Sequence, residues 1–189
     1  MDPFVFRPIR RADFPLLGAW LRTAHVARWW ADDPSVDRIE ADYGGNVDNT
    51  EPSEVFIVNH LDRPIGLVQR YRLAAYPSYL DELEPLVVLP AGASSIDYFI
   101  GTPEALGRGW GVALVQSFVL KLWRDDPDCP AIVVPIHAAN RTSWRTWERA
   151  GFKRLATGLL TPDNPADDRN HFMYCADRPA GSTRAGTDP

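Results

Sequence analysis

The sequence predicts a mixed α/β fold in a single domain, and three observations carry the prediction. Apolar runs of strand length alternate along the chain with stretches of helical periodicity. The 189 residues, 45% hydrophobic and 24% charged, suit one domain with a sizeable core. The apolar run Ser95-Ile96-Asp97-Tyr98-Phe99-Ile100 leads into Gly107-Arg108-Gly109-Trp110-Gly111 and a helical pattern, giving strand, glycine loop and helix in that order. The domain is drawn over residues 1–178. Residues 179–189, rich in Gly, Ser, Thr and Pro, are expected to form a flexible tail.

Residues 4–9 read as an edge strand. Asp13 to Thr23 presents Phe14, Leu17, Trp20 and Leu21 at helical spacing. His25 to Trp30 reads as a short second helix, and Pro34 to Tyr43 as a polar third. Val55 to Asn59 and Ile65 to Leu73 read as strands around a turn at Asp62-Arg63-Pro64. Ala74 to Ser94 reads as a long loop with prolines and an acidic centre, Asp81, Glu82 and Glu84. Ser95 to Ile100 is a central strand and Val112 to Arg124 the helix after the glycines. Ala131 to Ile136 is an apolar run suited to a buried strand. Ser143 to Arg149 lies on a helix stopped by Gly151. Phe152 to Leu160 and His171 to Cys175 read as closing antiparallel strands, joined by an acidic loop from Asp163 to Asn170.

A net charge of −5 argues against non-specific nucleic-acid binding and suits a cationic small molecule. Cys129 and Cys175 form no CxxC pair, and His25, His60, His137 and His171 show no ligand spacing, so no metal site is expected. The first twenty residues lack a signal-peptide pattern and no apolar run approaches about 18 residues, so a cytoplasmic protein without a membrane span is expected.

Glycine tolerates positive φ and lets backbone approach a ligand closely. The free N–H groups of the following helix start, with the helix dipole, then form an anion cradle. No glycine here precedes Lys-Ser or Lys-Thr, which removes the P-loop. The Gly-x-Gly-x-Gly spacing lies past the middle of the chain, which removes the dinucleotide fingerprint. Further on comes Asn140-Arg141-Thr142-Ser143-Trp144-Arg145-Thr146-Trp147-Glu148-Arg149-Ala150-Gly151-Phe152. This pair of segments resembles the GCN5-related N-acetyltransferases (GNAT superfamily). Their first motif is Gln/Arg-x-x-Gly-x-Gly/Ala, matched at Gly109 and Gly111, with Leu106 in the first place. Their second is Asn-x-x-Ala/Ser-x-x-x-Tyr-x-x-x-Gly-Phe, matched at Asn140, Ser143, Gly151 and Phe152, with Trp147 in place of the tyrosine. The likeness runs from Phe6 to about Tyr174. Arg7-x-Ile9, His25-Val26, Trp29-Trp30, Pro64-Ile65-Gly66, Gln69-x-Tyr71 and Ile96-Asp97 most resemble aminoglycoside 6′-N-acetyltransferases.

The resemblance implies a mainly antiparallel central sheet flanked by helices, with two central strands splayed to bind acetyl-CoA. It implies cofactor contacts from Phe99, Ile100, Leu106, Gly107, Arg108, Gly109, Trp110, Gly111, Val112, Asn140, Ser143 and Trp147. It implies Asp97 beside the acceptor amine, and Trp29 and Trp30 over the acceptor site. The acidic residues Asp81, Glu82 and Glu84 are candidates for the same pocket. Amine acetylation needs a group to take a proton from the acceptor, for which Asp97 is the candidate. It also needs a donor for the oxyanion, expected at the backbone N–H of Phe99 or Ile100. An indole cannot act as a general acid, so either the thiolate leaves unassisted or Tyr98 or Tyr174 protonates it. The function expected is acetyl transfer to a primary amine of a small cationic acceptor, most like an aminoglycoside, by a monomer or homodimer. The alternatives are a hydroxylysine-type siderophore intermediate, a protein N-terminus, or a CoA-binding module without turnover.

Overall fold

A computed structural model describes residues 3–180, so the expected tail lies, from residue 181 on, outside the described residues. Seven strands form one sheet: β1 (Phe4–Pro8), β2 (Glu54–His60), β3 (Arg63–Arg72), β4 (Ser94–Ile100), β5 (Ala131–His137), β6 (Lys153–Leu159) and β7 (Asn170–Asp177). Among the described residues six α-helices accompany it, besides three single-turn 3-10 helices: α1 (Phe14–Leu21), α2 (Ala24–Trp30), α3 (Val36–Asp48), α4 (Pro77–Leu83), α5 (Trp110–Asp125) and α6 (Arg141–Arg149). The strand order is β1-β2-β3-β4-β5-β7-β6. Every neighbouring pair is antiparallel except β4 and β5, which are parallel and meet at one register pair, Ser94 with Ile132. Beyond it the two strands diverge, and the sheet opens into a cleft.

Alternation along the strands sorts the core into two layers. Leu67 of β3 and Phe99 of β4 pack with Leu17, Trp20 and Ile39 of α1 and α3. Val68, Ile96 and Val134 point the other way, against Leu114, Phe118 and Leu122 of α5. Asp97 pairs with Gln69 and Tyr98 with Val68, so consecutive β4 residues face opposite layers.

Three segments depart from expectation. The β2–β3 turn is Leu61-Asp62, with φ of 47° and 63°. Two left-handed residues give the backbone twist that a tight hairpin needs. Arg63 and Pro64 already lie in β3, and Pro64 sits opposite Asn59 beside a bulge, where its missing N–H costs no ladder bond. Helix α3 runs through Gly44 and Gly45 to a left-handed Asn49 cap, because Ile39 and Tyr43 bury its inner face. The segment 74–94 holds helix α4 instead of continuous loop. Pro77 occupies its first turn, and Leu83 is fully buried with Leu73, Ala131, Val133 and Met173.

Candidate active site

Two cavities meet in the cleft, one of about 660 Å³ and one of about 720 Å³. Trp29, Trp30, Tyr98, Asn140 and Ser143 border both, so these five residues form the seam between them.

The larger cavity is the groove opposite the glycines. Gly107 and Gly109 have φ of 70° and 76°, and Gly109 is the residue from which α5 begins. No side chain caps that helix, so its first N–H groups remain available to a ligand. A Cβ on Gly111 would approach Thr146 Cγ2 of α6 at 3.3 Å, so a glycine here lets the two helices close on the groove. Phe99, Ile100, Leu106, Trp110 and Val112 line the same groove. Asn140 Oδ1 accepts from Ser143 N at 3.1 Å, capping α6. Arg108 turns outward: its Nε donates to the Glu104 carbonyl at 2.7 Å. Trp147 was expected in the cofactor site, but it is 1% exposed, packed edge-on to Phe152 and Tyr98, and borders only the smaller cavity. The large apolar ring fills the core beneath the seam.

The smaller cavity is acidic. Asp32, Asp97 and Asp163 all line it, among Tyr43, Tyr71 and Tyr79. Desolvation raises the Asp97 carboxyl above its usual range, against hydrogen bonds from the Gln69 amide (3.1 Å) and the Tyr71 hydroxyl. Desolvation likewise raises Asp32, which accepts from the Tyr43 hydroxyl at 3.0 Å. Asp163 is pushed up to about 6 by desolvation and by repulsion from Asp97 and Asp32. Asp163 feels the charge of both Asp97 and Asp32, and with Asp42, Glu51 and Asp167 also in the lining the cavity is suited to a cationic guest. Burial pushes the Tyr98 phenol up to about 12, so it stays protonated, with its hydroxyl hydrogen-bonded to Thr146 and beside Gly111. Tyr174 is fully buried and donates to Glu148 at 2.8 Å, which removes it from the candidates for protonating a leaving thiolate.

Asp81, Glu82 and Glu84 do not reach this cavity. They lie along and just after α4, which buries Leu83 and turns Asp81 and Glu84 to solvent; Glu82 instead accepts from Thr161 N at 2.9 Å. The acidic role falls to Asp32 and Asp163. Asp32 lies beside the tryptophan pair in sequence, whereas Asp163 opens the acidic β6–β7 loop, which nothing local ties to the site. Trp29 stands between Arg28 (4.2 Å to its ring) and His137 (5.8 Å), and Trp30 packs edge-on to Phe99 at 4.8 Å. His25 Nε2 lies 2.8 Å from the Ile100 carbonyl, tying α2 to the end of β4.

Comparisons with known proteins agree with this architecture. Residues 10–159 match the model of the acetyltransferase (GNAT) domain. The aminoglycoside N(6′)-acetyltransferase type 1 of Klebsiella pneumoniae is 28% identical over 170 residues, covering 87% of this chain and 81% of that protein. A kanamycin resistance protein of Rhizobium radiobacter is 36% identical over 75 residues, covering 40% of this chain and 68% of that protein. A crystal structure of an aminoglycoside acetyltransferase with coenzyme A superposes with a TM-score of 0.78 at 25% identity, over 93% of this chain and 95% of that one. With a fold, a cleft and a family match over most of its length in agreement, the chain belongs to the GNAT acetyltransferases.

Proposed function

We propose that the protein transfers an acetyl group from acetyl-CoA to a primary amine of an aminoglycoside, of the 6′ type, within one catalytic domain over residues 1–178. The observation that carries the proposal is the seam, where a glycine-cradled groove opens directly onto an acidic cavity that holds Asp32, Asp97 and Asp163. The relatives and neighbours named as aminoglycoside acetyltransferases, one of them with coenzyme A bound, support it.

The groove fits acetyl-CoA by its donors: left-handed Gly107 and Gly109 followed by the uncapped start of α5 suit a pyrophosphate. Acetyl-CoA supplies, when bound, an acetyl group on a thioester. Asp32 and Asp163 draw the cationic acceptor into the smaller cavity, and Trp29 and Trp30 form its wall at the seam. Asp97, with its affinity for a proton raised, takes a proton from the acceptor ammonium, and the neutral amine nitrogen so freed attacks the thioester carbonyl. Phe99 and Ile100 line the groove, and a backbone N–H of one of them would be the donor to the developing oxyanion. Tyr98, whose ring borders both cavities and whose hydroxyl lies beside Thr146 and Gly111, donates a proton to the leaving sulfur.

The test follows free thiol release from acetyl-CoA with aminoglycosides, polyamines, lysine derivatives and short peptides as acceptors. Turnover with aminoglycosides that falls about 100-fold or more in Asp97→Asn is the expected result. Turnover confined to lysine derivatives or peptides shifts the acceptor class, and acetyl-CoA binding without turnover on any amine makes the chain a binding module.

A further inference from the structure

Helix α6 carries Arg141, Arg145 and Arg149, spaced by four, and all three line the groove and are exposed. The chain has a net charge of −5, so a cationic wall here runs against its overall balance. Among the described residues, arginines pair with carboxylates elsewhere, as Arg7 with Asp13, Arg11 with Glu40 and Asp48, and Arg28 with Asp167, whereas none of these three forms an ion pair. Glu148, the acidic residue on the same helix, is turned away to accept from the Tyr174 hydroxyl. The Arg145 guanidinium stands 5.4 Å from the centre of the Trp144 ring, but neither it nor Arg149 meets a carboxylate among the described residues, so both can meet an anion in the groove.

The groove has a direction. Asn140 and Ser143 belong to both cavities, so the start of α6 marks the reacting end. At 1.5 Å per residue, Arg145 and Arg149 lie about 7.5 and 13.5 Å further along the helix from Asn140. Thr146 faces Gly111, which sets the level of the glycine loop between those two arginines. The loop's backbone donors suit two bridging phosphates, but coenzyme A carries a third, on the ribose, that a single helix start does not reach.

We infer that Arg145 and Arg149 form a phosphate-reading wall that selects the ribose 3′-phosphate of the CoA nucleotide. This rests on the groove holding acetyl-CoA. Guanidinium forks match phosphate oxygens bidentately, and exposed unpaired arginines meet them without first breaking an internal pair. Arg108, placed inside the glycine loop, is committed to the Glu104 carbonyl and is not needed.

Calorimetric titration of CoA and of 3′-dephospho-CoA into the intact protein tests the inference. The wild type binds CoA about tenfold or more tightly than dephospho-CoA, a gap that narrows with salt. The double variant R145Q/R149Q closes the gap by weakening CoA alone, with dephospho-CoA affinity within about twofold of wild type. R141Q keeps the preference. All these positions are exposed, and a thermal melt of each variant reports folding independently. Equal binding of the two nucleotides by the wild type, a preference that persists in R145Q/R149Q, or one abolished by R141Q overturns the inference while leaving acetyl-CoA use intact. Binding of neither nucleotide by a folded wild type defeats the acetyl-CoA reading itself, and the inference with it.

Discussion

Arg28 at the end of α2 donates two hydrogen bonds, of 2.6 and 2.7 Å, to the Asp167 carboxylate in the β6–β7 loop. Asn164 of the same loop reaches the Arg28 carbonyl. The helix that carries Trp29 and Trp30 and the loop that carries Asp163 are thus held as one wall. An exposed pair adds little to global stability, so its effect belongs to the site. Arg28→Ala and Asp167→Asn should each raise KM for the acceptor several-fold while KM for acetyl-CoA and the melting temperature barely move. Steady-state kinetics with each substrate varied in turn separates these effects.

The elevated carboxyl of Asp163 makes a pH prediction with a defined sign. In the unfolded chain the group titrates near 3.9, whereas in the fold it is pushed up to about 6. Between those values the native state binds more protons, so stability falls as pH rises through the window. Asp163→Asn removes that loss and should raise the melting temperature slightly more at pH 7.5 than at pH 4.5, the difference kept small by solvent screening at this exposed side chain. The same ionisation serves binding. The kcat/KM for a cationic acceptor should drop as pH falls through about 6, and the variant should flatten that limb. Melts at the two pH values, together with a pH–rate profile, check both halves.

Tyr98 and Tyr174 are separated by one substitution each. Tyr98→Phe should lower kcat about tenfold with CoA affinity unchanged, because its ring borders both cavities and its hydroxyl, beside Thr146 and Gly111, lies in the groove. Tyr174→Phe should leave kcat alone and cost about 1 kcal/mol of stability from the lost bond to Glu148. Equal effects of the two on kcat would remove Tyr98 from the mechanism.

Gly109 carries a φ of 76° where α5 starts. Nothing crowds a Cβ there, so Gly109→Ala tests conformation and not packing. It should cost about 1 kcal/mol and weaken CoA binding, as read by denaturant unfolding and calorimetry.

The cofactor half of the site was legible in the sequence because its signals are local. A glycine loop, an Asn140 cap and a helix stop at Gly151 each act within one turn of backbone. The acceptor half was less so. Asp97, Gln69 and Tyr71 converge through strand register, and Asp163 arrives from a loop far along the chain. Asp81, Glu82 and Glu84 read as a pocket lining only while their segment reads as loop. Once Leu83 and Leu73 anchor α4, the carboxylates at 81 and 84 face water. Prolines at 77, 85 and 90 masked the helix, since the first of them is a starter and not a breaker. Trp147 reads equally as wall or core, and only packing against Phe152 decides it.

The lone rung between β4 and β5 has a mechanical consequence. Past Ser94 and Ile132, the facing edges of the two strands are edge strands placed in the middle of a sheet, and backbone polar groups there still require partners. The molecule is two leaves on one hinge, β1 to β4 on one side and β5, β7 and β6 on the other. An occupant of the cleft acts as a spliced-in strand and stiffens the whole. Filling the groove should therefore slow amide exchange in β7, which lies one strand beyond the cleft.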